Sequence, residues 1–281
     1  MQQNQNNVNC GMNIAGLRHN REVQPERLRQ LLEQVAAGKI TPARAQTELR
    51  QLPFENLGFA QVDHHRALRN GAAEVIFAEG KTPRQVVAIA AALRRKQAKL
   101  LITRATPAIA RAVKRRWPQA RYYPASGIIG WRTEGKKNKS AARMPVLIVS
   151  AGTSDHPVAE EAMLTAEALG CRTELIQDVG VAGLHRLLAY VPRLQQAGVV
   201  IVVAGMEGAL PSVVGGLTQA PVIAVPTRIG YGTGLHGVGA LMGMLNACAS
   251  NVVTVNIDNG FGAGYVAAQI MRLAGTDQAK Q

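Results

Sequence analysis

The chain has 281 residues, of which 47% are hydrophobic and 18% charged, which supplies a core and excludes global disorder. Its longest apolar stretch, Ala197 to Met206, is about half of what a membrane span needs, and no apolar segment follows the Asn/Gln-rich start as in a signal peptide. The formal charge of +14 is lopsided, with 26 Lys/Arg against 9 Asp/Glu in residues 1–145 and 6 against 9 in the rest.

At about 150 residues per domain the length suggests two domains. Three cysteines (Cys10, Cys171, Cys248) cannot complete an even disulfide framework, which points to a reducing, cytoplasmic setting. The basic half reads as a solvated face or as a surface facing an anion. Its Trp117, Trp131, Tyr122 and Tyr123 are not interleaved as a stacking platform, and no zinc-finger or RNP-type motif occurs. A specific nucleic-acid partner is therefore not expected, and a phosphorylated small molecule fits as well.

Residues 1–24 read as a disordered tail. A helix is predicted from Pro25, with Leu28, Leu31, Leu32 and Val35 at three- and four-residue spacing and Gly38 as its stop. A second helix starts at Thr41-Pro42 and ends before Pro53. Glu74 to Ala78 reads as a strand, and Thr82-Pro83 as the N-cap and first position of a helix running to about Lys96. A strand at Leu100 to Ile102 and a helix from Pro107 towards Trp117 complete a small basic α/β domain, residues 25–132 with the helical arm. The polar stretch 133–143 reads as a linker.

From residue 144 to 281 the pattern is regular. Apolar runs at Pro145–Ser150, Thr173–Ile176, Val199–Ala204, Val222–Val225 and Val252–Ile257 are continuous, as in strands buried on both faces of a parallel sheet. Helical stretches at Val158–Leu169, Leu184–Gln196, Ala209–Leu217, Gly237–Asn246 and Tyr265–Leu273 separate them. The alternation predicts a doubly wound, flavodoxin-like five-stranded parallel sheet behind the small α/β domain.

In such a sheet the ligand crevice lies beyond the carboxyl ends of the strands, where four loops are rich in glycine. Gly152-Thr153-Ser154-Asp155 ends a strand and opens a helix, suited to a phosphate or to simple helix capping. No Walker pattern and no complete G-x-G-x-x-G is read in this half, so an ordinary P-loop or Rossmann assignment lacks its fingerprint. Glu207, between Met206 and Gly208, is either a carboxylate whose proton affinity apolar surroundings raise or an ordinary surface residue. The segment Thr227 to Gly243 could approach a ligand closely or move as a lid. Asp258-Asn259-Gly260-Phe261-Gly262 follows the last strand. The six histidines are scattered, so a dedicated zinc site is not expected. Cys248, by composition and by its place at the opposite edge of the sheet, reads as a small hydrophobe and not as a nucleophile. Only a packed oligomer would bring it to a crevice.

The segments Ala151–Asp155, Ala204–Ser212, Tyr231–Leu241 and Cys248 with Asn256–Ala263 resemble the LarB family of nickel-pincer-nucleotide biosynthesis, the pyridinium biscarboxylic acid mononucleotide synthases, relatives of the aminoimidazole ribonucleotide (AIR) carboxylases. Asp63-His64-His65-Arg66, Arg69-Asn70-Gly71 and Glu74 to Thr82 share the likeness, which spans about Leu57 to Met271.

The resemblance implies that nicotinic acid adenine dinucleotide is carboxylated on its pyridinium ring, with carbon dioxide or bicarbonate as co-substrate. Its phosphoanhydride is then hydrolysed, releasing AMP. It places a nucleophilic cysteine at Cys248, against the reading of the residues alone, and a base or ring-orienting acid at Glu207. Gly152, Thr153, Ser154 and Asp155 match the phosphate or ribose segment, with Asp258 and Asn259 completing the substrate-binding set. Arg66, Arg69 and Lys81 are the candidate partners of the pyrophosphate and ring carboxylate. Magnesium is the expected cation for the hydrolysis, and an octamer-like homo-oligomer the expected assembly. The rivals are an aminoimidazole ribonucleotide mutase or carboxylase using a crevice histidine, and a basic nucleic-acid-binding protein with a steep salt dependence.

Overall fold

Five apolar runs assemble side by side in the larger sheet. A computed structural model describes residues 25–49, 55–64, 66, 70, 72–95, 99–131 and 144–278. The sheet strands are β7 (Val146–Ser150), β8 (Thr173–Ile176), β9 (Val199–Ala204), β10 (Val222–Pro226) and β11 (Val252–Thr254). They pair in the order β11-β10-β9-β7-β8, every pair parallel. Counted along the chain this is the 2-1-3-4-5 order of flavodoxin-like sheets, with its reversal between β7 and β9. The three inner strands are buried along their whole lengths, which explains why their sequences do not alternate.

Side chains of alternate parity feed two cores. Leu147, Val149, Val200, Val202 and Ala224 face α6 (Leu184–Leu188), α7 (Val191–Gln196), α8 (Leu210–Gly215) and α9 (Val238–Leu245). Val146, Ile148, Ile201, Val203 and Val225 face α5 (His156–Ala168) and α10 (Gly260–Gln278). On that side the two helices touch through small residues. A Cβ at Gly260 would lie 2.3 Å from the Val158 carbonyl oxygen, and one at Gly264 would lie 2.4 Å from that of Ala162.

The smaller sheet has the order β3-β4-β6-β5, from β3 (Ile76–Phe77), β4 (Leu101–Thr103), β5 (Arg121–Tyr123) and β6 (Ile128–Gly130). Its helices are α3 (Pro83–Arg94) and α4 (Pro107–Arg116). Thr82 and Gln85 form a reciprocal capping box at the start of α3, and Thr106 caps α4. Leu101 and Ile128 pack on Leu164 of α5, so the small sheet leans on the larger domain. Residues 72–281 cluster as one compact unit, and residues 1–71 as another. The latter contains α1 (Pro25–Ala36), α2 (Pro42–Leu49) and an antiparallel pair, β1 (Glu55–Asn56) with β2 (Gln61–Val62).

Several expectations shift. The hairpin β5–β6 is not foreseen in the sequence, because its strands are only three residues each. The stretch Leu184–Gln196 is two short helices, with Pro192 in the first turn of the second. The last strand stops at Thr254, and α10 starts at Gly260, five residues before the expected Tyr265. The expected tail at 1–24 and the linker at 133–143 lie outside the described residues. Among the described residues no helix is long and apolar enough to cross a membrane.

Candidate functional site

Beyond the carboxyl ends of β7, β10 and β11 lies a cleft of about 350 Å³. The first wall comes from the turn after β7. Thr153 and Ser154 are exposed there, whereas Asp155 is folded inward and only 4% exposed. Asp155 Oδ2 accepts the Gly152 N–H at 2.9 Å, and Oδ1 accepts the Thr227 hydroxyl at 2.7 Å. The carboxylate thus laces the loop after β7 to the loop after β10. Burial pushes its pKa up, the two hydrogen bonds oppose this, and the charge of Asp258 adds to the rise. Ser154 is left as the hydroxyl of this motif that lines the cleft.

The second wall is a chain of charges. Asp258, with φ of 53°, receives the Arg228 backbone N–H at 3.1 Å on Oδ1 and the Arg228 Nε–H on Oδ2. That pairing raises the Arg228 pKa further. Arg104 arrives from the end of β4, also with positive φ, and its Nη2 donates to the Asp258 carbonyl oxygen. Arg104 Nε lies 3.2 Å from Glu161 Oε1, and Glu161 Oε2 accepts the Phe261 N–H at 3.1 Å. Glu161 is 3% exposed; burial pushes its carboxyl up and the Arg104 charge pulls it back. Ser126 closes the rim, with its N–H and hydroxyl both donating to Glu160 Oε2, at 3.1 and 2.6 Å.

The remaining sequence candidates are dispersed. Glu207 is exposed beside an exposed Met206, so the expected apolar surroundings are absent. The turn projects past β9 and docks by its backbone: a Cβ on Gly208 would lie 2.5 Å from the Ala240 carbonyl oxygen, and one on Gly243 2.4 Å from that of Glu207. Asn259 Oδ1 accepts the Gly262 N–H at 2.8 Å and so serves the start of α10. Lys81 Nζ donates to the Phe77 carbonyl oxygen at 2.8 Å and sits over that ring, within its own turn. Arg66 belongs to the N-terminal unit, and Arg69 lies outside the described residues. Cys248 is exposed in the turn between α9 and β11, at the amino edge of the strands and opposite the cleft of its own chain.

Three cleft groups escape a reading of the sequence: Arg104, Glu161 and Ser126. Arg104 and Asp258 meet across 154 positions, and nothing in either local pattern marks the pair. Gly232-Thr-Gly-Leu-His-Gly237 does spell G-x-G-x-x-G, contrary to the absence of a Rossmann reading. Its context is different, however: it does not open a helix directly from a strand end but folds as a 3₁₀ turn, Gly232–Gly237, with Leu235 and His236 both left-handed. No three His, Cys, Asp or Glu come together as a metal cage among the described residues. The buried carboxylates at the cleft, Asp155, Glu161 and Asp258, are committed to Thr227, Gly152, Phe261 and two arginines, so these residues do not fit a resident magnesium ion.

Residues 54–133 match the LarB/PurE-like N-terminal domain, and residues 145–281 match AIR carboxylase. The chain is 35% identical over 252 residues to an uncharacterised protein of Methanocaldococcus jannaschii, covering 88% of this chain and 97% of that one. It is 34% identical over 140 residues to an N5-carboxyaminoimidazole ribonucleotide mutase of the same organism, covering 48% of this chain and 84% of the mutase. A crystal structure of a PurE2 variant from Treponema denticola is similar at 16% identity and a TM-score of 0.37, covering 50% of this chain and 94% of that one.

Proposed function

Because this chain belongs to the LarB family, relatives of the AIR carboxylases, we propose that it carboxylates the pyridinium ring of nicotinic acid adenine dinucleotide and hydrolyses the phosphoanhydride. The products are pyridinium biscarboxylic acid mononucleotide and AMP, for nickel-pincer cofactor synthesis. The observation that carries this reading is the presence of both family domains in one chain, since the mutase covers only the carboxylase half, 48% of the residues.

The chemistry assigns each residue a task. A pyridinium ring is electron-poor and does not attack carbon dioxide. The Cys248 thiolate adds to the ring carbon para to nitrogen, and the resulting dihydropyridine is enamine-like, nucleophilic at the neighbouring carbon. That carbon bonds to carbon dioxide. A base, assigned to Glu207, removes the proton from the same carbon, and the electron pair expels the thiolate to restore aromaticity. Ring C–H and carbon dioxide have become carboxylate and a proton, and the sulfur is unchanged. Water then divides the phosphoanhydride. Ser154 and the Gly152–Asp155 turn suit the phosphate or ribose; magnesium would enter with the substrate and would supply charge neutralisation for the hydrolysis.

An exposed thiol at the far edge of its own sheet needs a neighbouring copy to reach a cleft. Val238, Met242 and Leu245 are 41%, 53% and 60% exposed along one face of α9, leading to the turn that bears Cys248. That apolar stripe supports a homo-oligomer whose sites lie between subunits.

A mutase or carboxylase acting on an aminoimidazole ribonucleotide is the second reading, favoured by the 34% identity to a named mutase. Pure protein incubated with the dinucleotide, bicarbonate and magnesium separates the two. AMP together with a doubly carboxylated mononucleotide is the expected outcome. Turnover of N5-carboxyaminoimidazole ribonucleotide without that product would transfer the assignment to the mutases.

A further inference from the structure

Two guanidinium groups meet at Asp258, and each is held from behind by acid. Arg104 uses Nη2 on the Asp258 carbonyl oxygen and Nε against Glu161; Arg228 uses its backbone N–H and Nε on the Asp258 carboxylate. The acidic partners are the enclosed members of these pairs, with Glu161 and Asp258 side chains 3% and 8% exposed. The arginines face outward, 32% and 67% exposed, and both line the cleft. No hydrogen bond to a described residue engages Arg104 Nη1 or either Nη of Arg228. A ligand entering the cleft therefore meets forked donors before it meets the buried carboxylates, and among the described lining residues Glu79 on the rim is the exposed opposing charge.

We propose that Arg104 and Arg228 form a two-guanidinium clamp for the phosphoanhydride of the dinucleotide, with Asp258 and Glu161 as its orienting residues. The inference rests on the dinucleotide reading for the identity of the ligand, but the clamp recognises any compact phosphate dianion. Planar guanidinium forks with their Nε already anchored match phosphate oxygens in fixed geometry and lose little freedom on binding. Nearby Ser154 supplies a hydroxyl to the same anion. The clamp takes the role that the sequence suggested for Arg66, Arg69 and Lys81, and it joins the small basic sheet to the carboxylase domain through Arg104.

Calorimetry on the full chain tests this with two probes, the dinucleotide and inorganic pyrophosphate, using Arg228→Gln, Arg104→Gln and the corresponding lysine variants. Each glutamine variant is expected to lose about tenfold or more in affinity for both probes, with lysine restoring part of it. Arg228, mostly solvent-exposed, guards against a folding artefact at Arg104. Wild-type binding of both probes that Arg228→Gln leaves unchanged would overturn the clamp. If the wild type binds pyrophosphate but not the dinucleotide, and the variants weaken pyrophosphate, the clamp stands and the dinucleotide reading falls. A wild type that binds neither probe overturns both.

Discussion

Glu161 and Asp155 lie beneath the cleft where water is scarce, and burial outweighs their hydrogen bonds. Both carboxyls hold their protons more tightly in the folded chain than in the unfolded one. A raised folded pKa contributes stability that is complete below the unfolded value and is lost as pH rises through the folded one. For Glu161 that window opens at the ordinary carboxyl value of 4.5 and extends upward. Glu161→Gln removes the titration. Urea midpoints taken from about pH 4 to 7 should therefore shift in favour of the variant as pH rises, by on the order of 1 kcal/mol per unit of raised pKa. A difference that stays constant, or moves the other way, would show that the Arg104 charge outweighs burial. The same residues show why the cleft was only partly legible. Ser154, Asp155 and Asp258 stand in Gly-rich loops after strands, where a parallel sheet puts its ligands. Arg104 and Glu161 acquire meaning only when the small sheet packs on α5, and no local pattern encodes that meeting.

At the scale of elements, glycine sets how closely pieces approach. The turn bearing Glu207 is docked on α9 from both sides, through Gly208 with φ of +67° and through Gly243. Alanine at either position places a methyl group inside contact distance of a backbone oxygen, and at Gly208 it also meets a left-handed backbone. Gly208→Ala should cost about 2 kcal/mol or more in chemical denaturation, and Gly243→Ala a comparable amount. A loss below about 0.5 kcal/mol for both would mean that the turn is not fixed against the helix. The strands were legible because continuous apolar runs belong to strands covered on both faces. The start of α10 was not: Gly260 and Gly262 read as loop residues, yet both lie in the helix, and at Gly260 the packing against α5 leaves no room for a side chain. Pro192 broke an apparently single helix for the ordinary reason that proline prefers a first turn.

Across the whole molecule, charge and apolar surface are segregated. Twelve Lys/Arg face two Asp/Glu between Ala72 and Trp131, while the carboxylase domain is slightly acidic and bears the apolar stripe on α9. If that stripe joins subunits, Met242→Glu should lower the mass measured by light scattering and reduce carboxylation while each chain keeps its circular dichroism; an unchanged mass would remove the stripe from the assembly. The order of the large sheet followed from the alternation of the sequence, whereas Cys248 stands away from the cleft of its own chain, so the proposed chemistry requires a second chain to complete the site. The sulfur is the element on which the proposed carboxylation depends, so the most direct measurement is isotopic carbon dioxide incorporation by Cys248→Ser in the presence of the dinucleotide. No carboxylated product is expected from a variant that still folds and binds the dinucleotide. Carboxylation at the wild-type rate would contradict that role of the sulfur.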